Sequence, residues 1–387
     1  MVVRLLQLYS DRGLTIVKGE GQYVWDDKGN RYLDVHTGHG VAFLGHRNPF
    51  VIEYLKRQMD SIVVLSPTFN TPIREEALRK LAYILPPQLS HIYLLNSGTE
   101  AVELSLKIVF KSTRRRKIVA LKGCFHGRTF GSLMLTWNPR YKRQFEPLGK
   151  LFEVVYLKPN AVEDIDKVLT DDVAAVYFEP ILGEGGVIPL DREFVRALYS
   201  RAREVGAYVV VDEIQTGFGR TGKLWAIERF GIDPDVLLAG KAIGGGFPVS
   251  LVAVRGELAN NIGPGDHGST YGSNPLAFAA VAGAIHALLE DKVVEKAARI
   301  GKILINRLAE ELSSVRSVRE VRGVGLMVGV DLRKEPTPTL QCLQEKQYII
   351  ALKAGSTVLR LLPPYMINFD DVEKIVEGIK KCLSQSL

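Results

Sequence analysis

Between residues 91 and 256 the chain alternates short, near-continuous apolar runs with segments of helical period, and few folds accept that alternation. The apolar runs are HIYLLNS (91–97), KIVALKG (117–123), EVVYL (153–157), AAVYFEP (174–180), YVVVDE (208–213), DVLLAGK (235–241) and LVAVRG (251–256). TEAVELSLKIVFKS (99–112) and DREFVRALYSRAREVG (191–206) read as helices between them. Strands rich in Val, Ile and Leu without polar alternation are buried on both faces, and crossover helices make them run parallel. An α/β fold around a mostly parallel sheet is expected. Ligands of such sheets bind beyond the carboxyl ends of the strands. Ser97–Gly98–Thr99, Glu184, Asp212–Gln215 and Lys241 all fall at or just after predicted strand ends.

The two ends of the chain read differently. GQYVWDDKGNRYLDV (21–35) alternates around Lys28–Gly29–Asn30 as a hairpin does. A long helical stretch runs from Pro275 to about Val315. A strand pair, VREVRGVGLMVGVDL (318–332), and a terminal helix, DVEKIVEGIKKCLS (371–384), follow. A length of 387 residues fits about two domains. The expected division is a large domain over 45–278 and a smaller α+β domain built from 1–44 and 279–387.

Composition narrows the function. Hydrophobic content of 46% and charged content of 24% are ordinary for a globular chain. No apolar run approaches the roughly 18 residues that cross a bilayer. The N-terminus shows no long apolar core or small-residue cleavage site, so no signal peptide and no membrane partner are expected. Cys124, Cys342 and Cys382 form neither a CxxC pair nor a zinc-spaced cluster, and a reducing cytoplasm is expected. His36 and His39 lack a surrounding ligand set, so no metal site is expected there. The net charge is +7. Its one dense run, Arg114 to Lys117, reads first as cations complementing a helix C-terminus and second as steering of an acidic partner. No basic stripe interleaves with aromatics, so nucleic acid is not expected.

The chemistry centres on Lys241, in LLAGKAIGGGFP, 29 residues after Asp212 in YVVVDEIQTGFGRTG. Burial disfavours a charged lysine, and the commonest use of such a lysine is a Schiff base with a carbonyl. An acid at the end of a neighbouring apolar strand is what a pyridinium nitrogen needs. Together they point to pyridoxal phosphate. Ser97–Gly98–Thr99 closes a strand and opens a helix, which reads either as a phosphate site or as a plain helix cap. In FHGR, Phe125 could stack on a flat ring and Arg128 could hold a carboxylate; a core Phe and a surface Arg are the simpler reading. Glu184 and Arg360 both lie in apolar settings and need a partner, either as a fixed salt bridge or as a switchable pair. Ser269 and Thr270, in HGSTYGSNP, are phosphate donors or parts of a polar connection. GFGRTGK (217–223) imitates a P-loop, but Leu224 stands where a Mg²⁺-binding hydroxyl belongs.

SGTEA, FHGR, EPILGEGG, DEIQTGFGRTG, GKAIGGGFP and HGSTYGSNP, in this order, resemble the class III aminotransferases over residues 13 to 380. The likeness is to the acetylornithine aminotransferase branch, and within it to archaeal enzymes acting on lysine and ornithine attached to an amino-group carrier protein. The resemblance implies a fold-type I transferase with a seven-stranded, mostly parallel sheet, a pyridoxal phosphate cofactor and a homodimer. It implies that Lys241 holds the cofactor and shuttles the proton, while Asp212 pairs with the ring nitrogen. Gln215 would bond the phenolic oxygen, Phe125 and Ile214 would cover the ring faces, and Gly98 and Thr99 would take the phosphate. Thr270 would reach the phosphate of the neighbouring subunit. Arg128 and Ser269 would contact the far end of the amino donor. Arg360 would bind the α-carboxylate of glutamate or 2-oxoglutarate, with Glu184 neutralising it when the other substrate is bound. Leu182 and Ser273 depart from the family's EPIQGE and YGGNP patterns. The substrate is then a carrier-linked aminoadipate or glutamate semialdehyde, or free N-acetylornithine. An acidic carrier would give the positive net charge a use and calls for a basic mouth around Arg128. An intramolecular aminomutase, a P-loop hydrolase and an inactive binding protein are the competing readings.

Overall fold

The computed structural model describes residues 3–148 and 150–384. Residues 1, 2 and 385–387, the outermost positions of the expected smaller domain, lie outside the described residues, as does Gly149.

The seven apolar runs form one sheet. In chain order its strands are β1 (His91–Leu95), β2 (Lys117–Leu121), β3 (Glu153–Leu157), β4 (Val173–Phe178), β5 (Tyr208–Asp212), β6 (Val236–Ala239) and β7 (Ser250–Val254). Their spatial order is β1-β7-β6-β5-β4-β2-β3. Only β7 runs antiparallel, to β6 on one side and β1 on the other. Every residue of β4, β6 and β7 is buried, which is why those runs carry no polar alternation. Helix α1 (Gly98–Thr113) leaves β1, and helix α2 (Arg192–Glu204) crosses between β4 and β5. The predicted ends of these elements hold to within a few residues.

The predicted long helix after Pro275 is two helices, α3 (Pro275–Glu290) and α4 (Val293–Leu312), broken at Lys292 in the left-handed region. Helix α3 is almost wholly buried and packs on the helix Pro49–Met59. The hairpin appears as Tyr23–Asp26 paired with Arg31–Asp34. It shares a four-stranded sheet with Ile349–Ile350 from the other end of the chain. A second four-stranded sheet holds the pair Val318–Val324 and Met327–Leu332, with Val358–Leu361 and Leu352–Ala354. Helices α5 (Thr337–Gln347) and α6 (Phe369–Ser384) cover this end.

Cysteine chemistry departs from the sequence expectation. Cys342 of α5 and Cys382 of α6 are joined in a disulfide, with 5.7 Å between their Cα atoms. The partners are 40 residues apart, and their meeting depends on how two helices pack, which no local spacing reveals. The cysteine pattern therefore gives no support to a reducing compartment. Among the described residues no helix is long and apolar enough to cross a membrane.

The P-loop imitation is packed as structure. Arg220 is fully buried, donates to the carbonyls of Gly40, Leu326 and Pro363, and lies over the Phe43 ring. Trp225 is buried too, its Nε1 donating to the Ile84 carbonyl. The segment ties the start of the chain to its end.

Candidate active site

A cavity of about 660 Å³ opens at the carboxyl edge of the sheet. Gly98 and Thr99 after β1, Phe125 and Arg128 after β2, Glu179 and Glu184 after β4, Asp212, Ile214 and Gln215 at the end of β5, and Lys241 after β6 all contribute to its wall. The strand order brings together residues spread over more than a hundred positions. Ser269 and Thr270 are outside this wall. Ser269 Oγ is 3.4 Å from Nδ2 of Asn96, a wall residue, whereas Thr270 is exposed.

Lys241 opens a short 3-10 turn, Lys241–Gly244, with φ of 49°. By area it is half-buried, yet protein encloses its ammonium group. Desolvation and then the charge of Arg360 pull its pKa down to about 8, against the opposing carboxylates of Glu184, Glu179 and Asp212. The shift enlarges the share of free amine, the form that condenses with an aldehyde.

Asp212 ends β5, buried. One carboxylate oxygen accepts from the Ile214 N–H at 3.0 Å, and the other is 2.7 Å from His126 Nδ1. His126 is the central residue of FHGR, and the sequence reading gave it no role. Its partner is 86 residues away, so no local pattern announces the contact. Ile214 packs on the start of α1: a Cβ on Gly98 would lie 2.8 Å from Ile214 Cδ1 and would push that side chain aside. The α1 N-terminus is capped by Glu100, which accepts from the Asn96 and Ser97 N–H groups. Thr99 Oγ1 lies 2.8 Å from Thr129 Oγ1 and 2.6 Å from Ser132 Oγ. A helix N-terminus beside three hydroxyls can receive an anion, although Thr129 Oγ1 also donates to Glu103 Oε1.

Arg360 is fully buried on Val358–Leu361. Its Nη2 is 2.6 Å from Glu184 Oε1, and its Nη1 donates to Gln215 Oε1 at 3.1 Å. Glu184 and Gln215 line the cavity, so Arg360 reaches it only through them. Its Nε is buried without a hydrogen-bond partner among the described residues. Desolvation would raise the Glu184 carboxyl, but Arg360 and Lys241 outweigh it and hold the group below its ordinary range.

At the mouth, Arg128 is exposed and donates to Tyr9 Oη. Its guanidinium lies 5.3 Å from the Tyr9 ring, 5.9 Å from Phe125 and 5.8 Å from Tyr141. Tyr141 belongs to a short helix, Pro139–Lys142, that also carries Arg140. The mouth thus sets the Arg128 cation among aromatic rings. Tyr9, 119 residues from Arg128, escaped the sequence reading. Glu179 escaped it as well, although an acid ending an apolar strand was the signal used for Asp212.

An amine at Lys241, a buried carboxylate for a ring nitrogen and an anion site at α1 fit pyridoxal phosphate. The family model for class III aminotransferases matches residues 9–383. The chain belongs to that family. It is 54% identical to the LysW-aminoadipate semialdehyde/glutamate semialdehyde transaminase of Sulfurisphaera tokodaii, over 98% of this chain and 97% of the relative. It is 40% identical to the acetylornithine aminotransferase of Methanopyrus kandleri, over 98% and 97%. A solved ornithine aminotransferase from Toxoplasma gondii, described with partial occupancy of pyridoxal phosphate (PLP) at its active site, superimposes with a TM-score of 0.92. That match has 30% identity and covers 98% of this chain and 92% of the other.

Proposed function

We propose that this aminotransferase moves a terminal amino group between glutamate and the semialdehyde of a carrier-linked aminoadipate or glutamate, forming carrier-linked lysine or ornithine. The observation that carries the reading is the buried Arg360–Glu184 pair beside Lys241. An enzyme for these two substrates must accept a terminal amine with no carboxylate beside it, then glutamate, which has one. A cation neutralised by a movable carboxylate serves both. With the amine, Glu184 stays on Arg360 and no buried charge is left unpaired. With glutamate, the α-carboxylate takes Arg360 and Glu184 moves aside, with the unpartnered Nε as a further donor.

Pyridoxal phosphate supplies an electron sink for the carbon that loses its proton. Lys241 holds the cofactor and carries the proton at its Nζ. Asp212, aligned by His126, keeps a positive charge on the ring nitrogen. Gly98, Thr99 and the neighbouring hydroxyls would take the phosphate, Phe125 and Ile214 would flank the ring, and Gln215 would bond its phenolic oxygen. Arg128 and Tyr9 would receive the far end of the amino donor, joined by Ser269, which meets the wall residue Asn96. Thr270, exposed and outside its own chain's cavity, fits a role in the partner subunit's phosphate site, which makes the active unit a homodimer. The Arg128 cation at the mouth suits an acidic carrier protein. A cytoplasmic setting, where glutamate is drawn from metabolism, goes with this reading; disulfides do occur in intracellular proteins of hyperthermophiles. The division into 1–44, 45–278 and 279–387 goes with it too, with α3 spanning the second boundary.

The test is an absorbance spectrum of the purified protein. A band at roughly 400–430 nm should bleach toward about 330 nm when glutamate is added, as Schiff-base chemistry demands. The colour should return with the carrier-linked semialdehyde. Return with free N-acetylglutamate semialdehyde alone would favour the acetylornithine reading, which the Methanopyrus kandleri relative supports. Absence of a band after adding PLP would sink both.

A further inference from the structure

Glu179 follows β4, is 5% exposed and lines the cavity. One of its oxygens accepts the Phe125 N–H at 2.9 Å, and the other accepts the Gly183 N–H at 3.1 Å. These two backbone groups belong to different loops. Phe125 leads into Arg128 and the amino-donor side of the cavity. Gly183 precedes Glu184 and the glutamate side. One carboxylate therefore fastens both loops to the end of the same central strand.

The residue type matters. A carboxylate offers two acceptor oxygens, whereas an amide offers one acceptor and one donor group. Only an acid of this length can take both N–H groups at once. Keeping it there is unfavourable: desolvation first and the Asp212 charge next raise its pKa to about 7, despite His126 and the two N–H groups. Gly183 leaves little room for drift, because a Cβ on it would collide with Gln215 Oε1, the atom that accepts from Arg360. The contacts run without a break from Phe125 through Glu179 and Gly183 to Gln215 and Arg360.

We propose that Glu179 is a positioning residue that sets the aromatic loop and the glutamate-switch loop in register. The proposal rests on the roles given above to Phe125, Glu184 and Arg360. Removing Glu179 should loosen the ring-covering side and the carboxylate-binding side together, without removing any group that touches the reacting atoms.

The test compares Glu179→Gln and Glu179→Ala holoenzymes with the unaltered one, using added PLP and glutamate. Glu179→Gln keeps the volume but sets an NH₂ against one backbone N–H, a buried mismatch. Expected are a retained visible band, a KM for glutamate raised about tenfold or more in both variants, and weaker visible circular dichroism of the bound cofactor. Gly183→Ala, which crowds Gln215 Oε1 and leaves the Phe125–Glu179 contact in place, should raise the KM for glutamate as well. A lower Tm with unchanged KM and dichroism in Glu179→Gln would show a merely structural residue and overturn the proposal. Failure of glutamate to bleach the unaltered enzyme would instead count against the transaminase reading. The dichroism comparison would still decide on Glu179.

Discussion

Arg360 and Glu184 meet across 2.6 Å behind the cavity wall, and Gln215 holds the same guanidinium from the other side. The arginine is fully buried, while about a third of the Glu184 side chain is exposed. On the proposed function the cation is the fixed member and the carboxylate the one that turns. Pairing with a substrate carboxylate needs only one side chain to turn toward open space.

Glu184→Ala should separate the two half-reactions. With the amine bound, Arg360 would be a buried charge without its carboxylate, which costs about 3 kcal/mol or more. The ratio of kcat/KM for glutamate to that for the amine should rise about 100-fold, because glutamate brings the carboxylate that the amine lacks. Single-turnover bleaching and recovery of the visible band measure each step separately.

The reactivity of Lys241 should follow its lowered pKa. The free amine predominates above about pH 8, so uptake of added PLP by the cofactor-free chain should accelerate through that pH. Arg360→Ala removes a like charge and should move the midpoint upward. Stopped-flow growth of the visible band across pH 6 to about 10 records both effects. A midpoint left in place in the variant would contradict the assigned cause.

Arg220→Met should be destabilising at unchanged chemistry. It would leave the Gly40, Leu326 and Pro363 carbonyls without their buried donor. A loss on the order of 3 kcal/mol is expected, read as a lower urea midpoint. Neither the variant nor the unaltered protein should bind ATP by calorimetry.

Breaking the cross-link between α5 and α6 should lower Tm. A loop of 40 residues corresponds to stabilisation on the order of 2–4 kcal/mol. Cys382→Ser, or reductant on the unaltered protein, should give the same shift. The half-reaction with glutamate should remain unchanged, since neither cysteine lines the cavity.

Much of this architecture was legible before any coordinates. Strands buried on both faces announce themselves, as in VVVD and VLLA, and a lysine and an acid at strand ends are chemically conspicuous. The resemblance then tied weak motifs such as FHGR to one site. What escaped was contact between distant residues. His126 reads as one more ring until it meets Asp212, and Tyr9 is invisible until the N-terminal segment crosses Arg128. Glu179 carried the same signal as Asp212 but had Glu184 beside it as the louder acid. Helix α3 to α4 looked continuous because α3, apolar all round, runs straight on into the apolar stripe of α4 across the turn at Lys292.

If Arg360 takes the glutamate carboxylate as proposed, the resting enzyme already contains an imitation of its second substrate. Glu184 offers Arg360 the same functional group that glutamate must bring, tethered to the backbone and always present. The apparent affinity for glutamate is thus a contest with an internal inhibitor. Substitutions that only change how firmly the Glu184 loop is held should retune that affinity without altering a single atom that touches the ligand.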